Sequence, residues 1–464
     1  MTFILSKANL EQIQENIAQQ RDAEVLDAVK DLHPADIADV LDQLTLKEAQ
    51  YLFERLEPEM AAEVVLELAE DKRDKLLGNY TGKEIAEELI EHIDSDDAAD
   101  VIAELPEEVR VEVLANIEDE GHRKEISELL TYDEGTAGAL MAKELVKVNV
   151  GASMLDCVRV LRTHADMVDD VYVILVVDDH DRLVGSIPLK ALLTTSLRMP
   201  VKDVYDPDVI SIEAHEDVDE ASRIMEKYDL VILPVVDDRG RLLGRITIDD
   251  VVDAIREEET EDTHRMGGME ALEYSYSAST LWDMVKKRVG WLVILFIGES
   301  FTATAMGFYM NEIEKAVVLA LFVPLIISSG GNTGSQASTL IIRALALGDI
   351  TTREWFRIFR RELVVGLILG LALAIVGFTR VAVWSQFVNL YGPHWLLVGL
   401  VVAFALIGVV LWGNLVGSLF PLVLKRFGFD PASASAPFVA TLVDVTGLVI
   451  YFSIASIFLR QILA

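Results

Sequence analysis

The sequence predicts a multidomain protein: an all-α N-terminal domain, an α/β middle region and an all-α domain of five transmembrane helices. Three observations predict it. Residues 1–130 are acidic with apolar positions at helical intervals, a β-rich motif recurs between 140 and 255, and five long apolar segments follow. The predicted domains are 1–135 (acidic helical repeats), 136–198 and 199–257 (the β-rich copies), 258–287 (an acidic connector helix) and 288–464 (the transmembrane domain).

Charge divides the chain in the same way. From residue 276 onward there are 9 Asp/Glu and 13 Lys/Arg, a net of +4, which leaves 67 and 27, a net of −40, in residues 1–275. Such an acidic half argues against nucleic acid and favours cations as partners. A solvated surface kept for solubility is the alternative. The single cysteine, Cys157, excludes an intrachain disulfide and fits a reducing compartment. The eight histidines show no metal-ligand spacing, so no zinc site is expected. The apolar run in MTFILSKANLEQ is too short for a signal peptide, and a cytoplasmic soluble half is expected. Without a P-loop or another phosphate-binding motif, neither ATP hydrolysis nor any other enzyme activity is expected.

In the helical region, ADIADVLDQL (35–44) aligns with DDAADVIAEL (96–105), and EMAAEVVLEL (59–68) is a looser copy. Repeats of this kind predict stacked helical hairpins with a superhelical bias. Acids recur within each copy as Asp36 and Asp39, Glu59 and Glu63, and Asp96 and Asp100. Spacings of three or four put both acids of a pair on one helical face, where they repel. A divalent cation would relieve that repulsion, as would solvent and salt.

In the middle region, VILVVDDHDRLVGSI (173–187) aligns with ILPVVDDRGRLLGRI (232–246). Each copy predicts a strand, a turn holding Asp-Asp, a second strand and a helix. After the second copy comes IREEETEDTHRMGGME (255–270), where Glu258, Glu261 and Asp262 share a helical face before Gly267 and Gly268 end the helix. A switch-transmitting connector and a plain charged linker both fit it.

The predicted spans are 289–310, 316–342, 363–384, 395–424 and 432–459. Ten Lys/Arg flank them on one side, from Lys286 to Arg288, Arg343 to Arg361, and Lys425 and Arg426; only Lys315, Arg380 and Arg460 lie on the other. This bias puts the acidic half in the cytoplasm and the C-terminus outside. The second span is expected to be broken by PLIISSGGNTGSQAST (324–339), whose polar density points to a pore lining rather than ordinary packing. In the fourth, Gly413 and Gly417 permit close helix packing.

The fifth span carries Asp444 inside FVATLVDVTG (438–447), on a helical face shared with Ala440 and Thr441. A carboxylate at mid-depth costs about 3 kcal/mol or more, so it should face a cavity and meet a cation. No Lys or Arg lies deep in a span to pair with it. A buried protonated acid is the plainer alternative. Glu299 is a second intramembrane acid, closer to a packing role.

The repeated β-rich motif resembles a tandem pair of cystathionine-β-synthase (CBS) domains. The resemblance implies that Thr247 and Asp250, in GRITIDD (244–250), hold an adenosine ribose. The first copy departs from that pattern at Pro188, Lys190 and Ala191, so at most one site, for example for ATP, is implied. The whole chain resembles the MgtE family of magnesium channels, most specifically in YDEGTAGALM (132–141), PLIISSGGNTGSQASTLIIRALA (324–346) and FGFDPASASAPFVATLVDVTG (427–447).

That resemblance implies a homodimer in the plasma membrane, surrounded by lipid, with its pore on the two-fold axis. Asp444 would be the pore carboxylate, with the Ala440 carbonyl close to a hydrated Mg²⁺ and Asp430 at the cytoplasmic mouth. Asp96, Asp100 and Glu63 would bind regulatory Mg²⁺ in the helical domain. Asp229, Asp250, Asp253, Glu258, Glu261 and Asp262 would form a cluster from the second CBS domain to the connector. The implied function is passive, Mg²⁺-selective uptake that shuts when cytoplasmic Mg²⁺ fills the acidic sites. The competing reading is a CBS-regulated transporter of another ion, such as an anion channel or a proton-coupled carrier. A membrane-anchored nucleotide sensor would leave Asp444 unexplained.

Overall fold

The computed structural model describes residues 5–163, 171–272, 276, 279–310, 317–387, 391 and 394–463. Two compact units divide between Glu257 and Glu258.

The first unit opens with ten short α-helices, from Lys7–Ala18 to Glu120–Leu129. Local signals set their ends. Proline occupies the first turn of Pro34–Gln43 and Pro58–Glu67, where its missing N–H costs nothing. Thr45 with Glu48 and Thr81 with Glu84 form capping boxes. The repeat is structural as well. Ile37, Ala38, Val40 and Leu41 are buried, as are Ala61, Ala62, Val64 and Val65, and Ala98, Ala99, Val101 and Ile102, at matching positions of three helices. Each copy turns the same apolar stripe into one shared core and leaves its acids on the other face.

Two three-stranded sheets follow. In the first, β1 (Lys147–Asn149) lies parallel to β2 (Val173–Val177), which pairs antiparallel with β3 (Leu183–Pro188). In the second, β4 (Ile212–Glu213), β5 (Ile232–Val236) and β6 (Leu242–Thr247) repeat that order, with the register shift at the equivalent place. The shared Asp-Asp turn explains the match. Asp178 accepts the His180 and Arg182 amides, and Asp237 accepts those of Arg239 and Arg241.

The helix closing the second copy runs unbroken from Ile248 to Met266, so the connector is not a separate helix beginning at 258. No Gly or Pro interrupts 248–266, and Gly268 ends the segment at a φ of 74°. The predicted connector range also overlaps the first span, whose helix begins at Leu281 with a Thr280 cap.

Among its described residues, the second unit contains five helices long and apolar enough to cross a membrane. They are Leu281–Phe308, Val317–Ala320 with Val323–Ala346, Trp355–Phe387, Trp395–Arg426 and Ala436–Leu463. Leu292, Phe296, Ile368, Ile375 and other large apolar side chains point outward, as a lipid-facing surface requires. Lys315 and the side chain of Arg460 lie outside the described residues.

The second span departs from expectation. Residues 324–339 are helical, and the interruption lies upstream at Leu321 and Phe322, with Pro324 in the first turn of the resumed helix. Four of its hydroxyls find partners within the bundle. Ser329 and Thr333 donate to carbonyls four residues earlier, whereas Ser335 and Ser338 donate to the Ala436 and Ala434 carbonyls at 3.0 and 2.7 Å. Tyr451, fully buried, donates to the Leu319 carbonyl at 2.7 Å beside the interruption. The backbone irregularity is thereby satisfied inside protein.

Candidate cation sites

The glycines of the second span are a packing seam. A Cβ on Gly334 would lie 2.9 Å from the Gly413 carbonyl oxygen, and one on Gly417 would run into the Gly334 backbone. Close approach of this kind stabilises helix pairs in lipid, where apolar burial alone does not. The fifth span packs on the same seam. A Cβ on Gly331 would lie 3.5 Å from Ala440 Cβ and 3.6 Å from Asp444 Oδ1. Asp444 therefore sits against a glycine of the second span, one helical turn beyond Ala440, and is half-buried. Thr441 packs on Gly298 of the first span, next to Glu299. Among the described residues no cationic side chain pairs with Asp444.

Asp430, expected at a cytoplasmic mouth, is an ion-paired acid. Its Oδ2 accepts from Arg265 Nη1 at 2.6 Å, and its Oδ1 accepts the Ala432 amide at 2.8 Å. Arg265 also binds Glu261. Two predicted cation ligands are thus joined through one guanidinium, which the sequence reading passed over. It also passed over Asn414. Buried in the fourth span, Asn414 donates to the Glu362 carboxylate at 2.9 Å and to the Glu362 carbonyl at 2.8 Å. A lone Asn amid 32 helical, mostly apolar residues was the available signal.

In the first unit the helix Ser95–Glu104 brings Asp96, Asp97 and Asp100 towards Asp250 at the start of the Ile248–Met266 helix. Burial, followed by Asp97 and Asp250, raises the Asp96 carboxyl well above its usual range. Burial and then Asp250 push Asp97 up to about 7. Burial and then Glu104 push Asp100 up to about 6, although its side chain still reaches solvent. Burial also raises Asp250, against the lowering effect of its bond from Thr247. Asp96 Oδ1 is buried without a hydrogen-bond partner. An all-oxygen acidic donor set with an orphaned oxygen fits a hard divalent cation such as Mg²⁺.

Asp97 was missed because spacing alone favoured Asp96 with Asp100. The repeat register carries the signal, since it pairs Asp36 and Asp39 with Asp97 and Asp100. Glu63, Asp229, Asp253 and Glu258 are exposed, and Asp253 lies 3.5 Å from Arg256. Asp262 is half-buried. Thr247 and Asp250 bond each other at the helix start, Asp250 accepting the Thr247 amide at 3.3 Å and its hydroxyl as well.

Five spans, a carboxylate set against glycine without a basic partner, and a large acidic region joined to tandem CBS folds define a multi-pass membrane protein of the cation-transporter class. The family described as a divalent cation transporter, MgtE, matches residues 323–454, its intracellular N domain matches 32–135, and CBS domains match 137–198 and 201–257. The chain is 40% identical over 326 residues to the magnesium transporter MgtE of Thermus thermophilus, covering 70% of each protein. It is 34% identical to the Enterococcus faecalis protein of the same name, over 70% of this chain and 69% of that one. A crystal structure of the cytosolic domain of the Mg²⁺ channel MgtE in complex with ATP matches 53% of this chain and 99% of that one, at 29% identity and a TM-score of 0.50. The chain belongs to the MgtE family.

Proposed function

We propose that the chain is a Mg²⁺-selective channel for passive uptake, closed by cytoplasmic Mg²⁺ bound to its acidic N-terminal half. The observation that carries this reading is Asp444, set in the fifth span against Gly331 and Ala440 with no cationic partner among the described residues. Mg²⁺ sheds water reluctantly, so a pore holds it hydrated through carboxylate and carbonyl oxygens. In a homodimer with the pore on its two-fold axis, paired Asp444 residues supply the charge, the Ala440 carbonyls contact the ion's waters, and cavity size disfavours larger Ca²⁺. Asp430 guards the cytoplasmic mouth. The positive flanks support a cytoplasmic N-terminal half. Entry then needs no ATP, because a divalent ion gains about 4.6 kcal/mol per 100 mV of membrane potential.

Closure uses the acids. Mg²⁺ at Asp96, Asp100 and Asp250, with Asp97 joining them, holds the N-terminal helices against the second CBS copy. Glu63, Asp229, Asp253, Glu258, Glu261 and Asp262 supply further regulatory contacts. Each ion biases the closed state only by its differential affinity, so several sites give a sharp response. Thr247 and Asp250 are the candidate adenosine contacts, a reading supported by the ATP complex of the related cytosolic domain. The test is patch recording of Mg²⁺ currents from the wild type and Asp444→Ala while cytoplasmic Mg²⁺ is varied. Current that is lost in the variant and inhibited from the cytoplasmic side in the wild type supports the reading. Absence of wild-type current, or of inhibition, overturns it.

A further inference from the structure

Glu144 lies between the Glu120–Leu129 helix and β1, and it belongs to two groups of ligand atoms. Asp94 and Asp96 form one group with it, and His122 and Glu125 form the other. Within each group, one ligand atom from every residue lies within 4.8 Å of the others. The Glu144 side chain is only 9% exposed and that of His122 17%.

The carboxylate is held in place. Ser95 donates to Glu144 Oε1 from its amide at 3.2 Å and to Oε2 from its hydroxyl at 2.8 Å. A carboxylate has about four acceptor positions, so these two bonds leave room for an ion. Lys143, the neighbouring cation, is engaged with Glu128 at 2.8 Å.

His122 is oriented as a metal-binding imidazole would be. Its Nε2 lies 3.1 Å from the Ile90 carbonyl, which can only accept, so Nε2 carries a proton. Metal-bound histidines commonly hold their second nitrogen in this way. Its Nδ1 lies 4.0 Å from Glu144 Oε1. That is too long for a hydrogen bond, and it suits two ligands each about 2.1 Å from a shared ion. Asp96, whose buried Oδ1 has no hydrogen-bond partner, belongs to the Asp94 group and is shared with the Asp97, Asp100 and Asp250 set.

We propose that Glu144 is the shared ligand of a divalent-cation centre, with His122 and Glu125 on one side and Asp94 and Asp96 on the other, in which His122 favours first-row transition ions over Mg²⁺; Mn²⁺, the weakest-binding of them, is the paramagnetic probe. Mg²⁺ prefers oxygen donors, whereas imidazole suits the later first-row ions Fe²⁺, Ni²⁺, Cu²⁺ and Zn²⁺. The site binds its ion whether or not the chain conducts, so the transport reading and this one fail separately.

The test uses the purified full-length chain loaded with Mn²⁺ under excess Mg²⁺, read by electron paramagnetic resonance with spin-echo detection of ligand nitrogen. Wild type should retain Mn²⁺ and show coupling to an imidazole nitrogen. His122→Asn should lose that coupling and bind Mn²⁺ at least about 10-fold more weakly, since losing even a ligand's outer-shell partner costs that much, with Mg²⁺ affinity little changed. Glu144→Gln should bind one Mn²⁺ fewer. A wild type without nitrogen coupling, or coupling that survives in His122→Asn, overturns the proposal, and neither result depends on how well Glu144→Gln folds.

Discussion

Arg265 Nη1 donates to Asp430 Oδ2 at 2.6 Å across 165 residues of sequence, tying the end of the connector helix to the segment that leads into the fifth span. The guanidinium also holds Glu261, so one cation links two acids. The side chains are 39% and 30% exposed, so the Arg265–Asp430 coupling should be about 0.5–1 kcal/mol rather than the several of a fully buried pair. Arg265→Ala, Asp430→Ala and the double variant, compared by thermal unfolding, should be non-additive by that amount. Additive effects would show that the contact does no energetic coupling.

The raised carboxyls of Asp96, Asp97, Asp100 and Asp250 set a pH dependence whose sign follows from linkage. The folded state binds more protons than the unfolded one between the usual carboxylate range near 4 and the folded values of about 6 for Asp100 and about 7 for Asp97. In metal-free buffer, stability should therefore fall as pH rises through that window. Mg²⁺ added at pH 7 should restore much of the loss, because it replaces the missing protons as counter-charge. Melting temperatures of the full chain at pH 5 and 7, with and without Mg²⁺, check both directions. Asp97→Asn should flatten the slope and raise stability in metal-free buffer at pH 7.

The parts of this organisation that were legible in the sequence rest on local physics. Apolar length marked the five spans, and the repeated VVDD strings gave two sheets with one shared turn geometry. The helical repeat predicted the buried stripe from Ile37 to Leu41 and its copies. The second span was misread because Gly and Ser weaken an isolated helix, whereas here they admit neighbouring helices and donate to carbonyls at the start of the fifth span. Arg265 was invisible as a partner of Asp430, since no periodicity connects positions so far apart. Asp97 was hidden by choosing acids on spacing instead of on the register of the repeat.

Tyr451 tests how the interruption before the second span is maintained. Its hydroxyl donates to the Leu319 carbonyl from a fully buried position. Tyr451→Phe keeps the ring and removes this donor, while the Leu319 carbonyl keeps the Phe322 amide at 3.0 Å, so the cost should be about 0.5–1.5 kcal/mol. The variant should melt at a lower temperature yet keep the ion selectivity of the wild type, because the hydroxyl bonds backbone and not cargo. Changed selectivity would mean that the interruption shapes the ion path directly.

Two glycine substitutions separate packing from conduction. At Gly417 an added methyl meets the Gly334 backbone, and no side-chain rotation relieves a clash with main chain. Gly417→Ala should force the second and fourth spans apart and sharply reduce stability in detergent. At Gly331 the same methyl finds ordinary contact distances, 3.5 Å to Ala440 Cβ and 3.6 Å to Asp444 Oδ1. Gly331→Ala should therefore fold like the wild type while placing hydrocarbon against the carboxylate that is proposed to hold hydrated Mg²⁺. Currents should fall several-fold with little change in melting temperature. Gly331→Ala protein that conducts normally would place the proposed ion path on another face of Asp444.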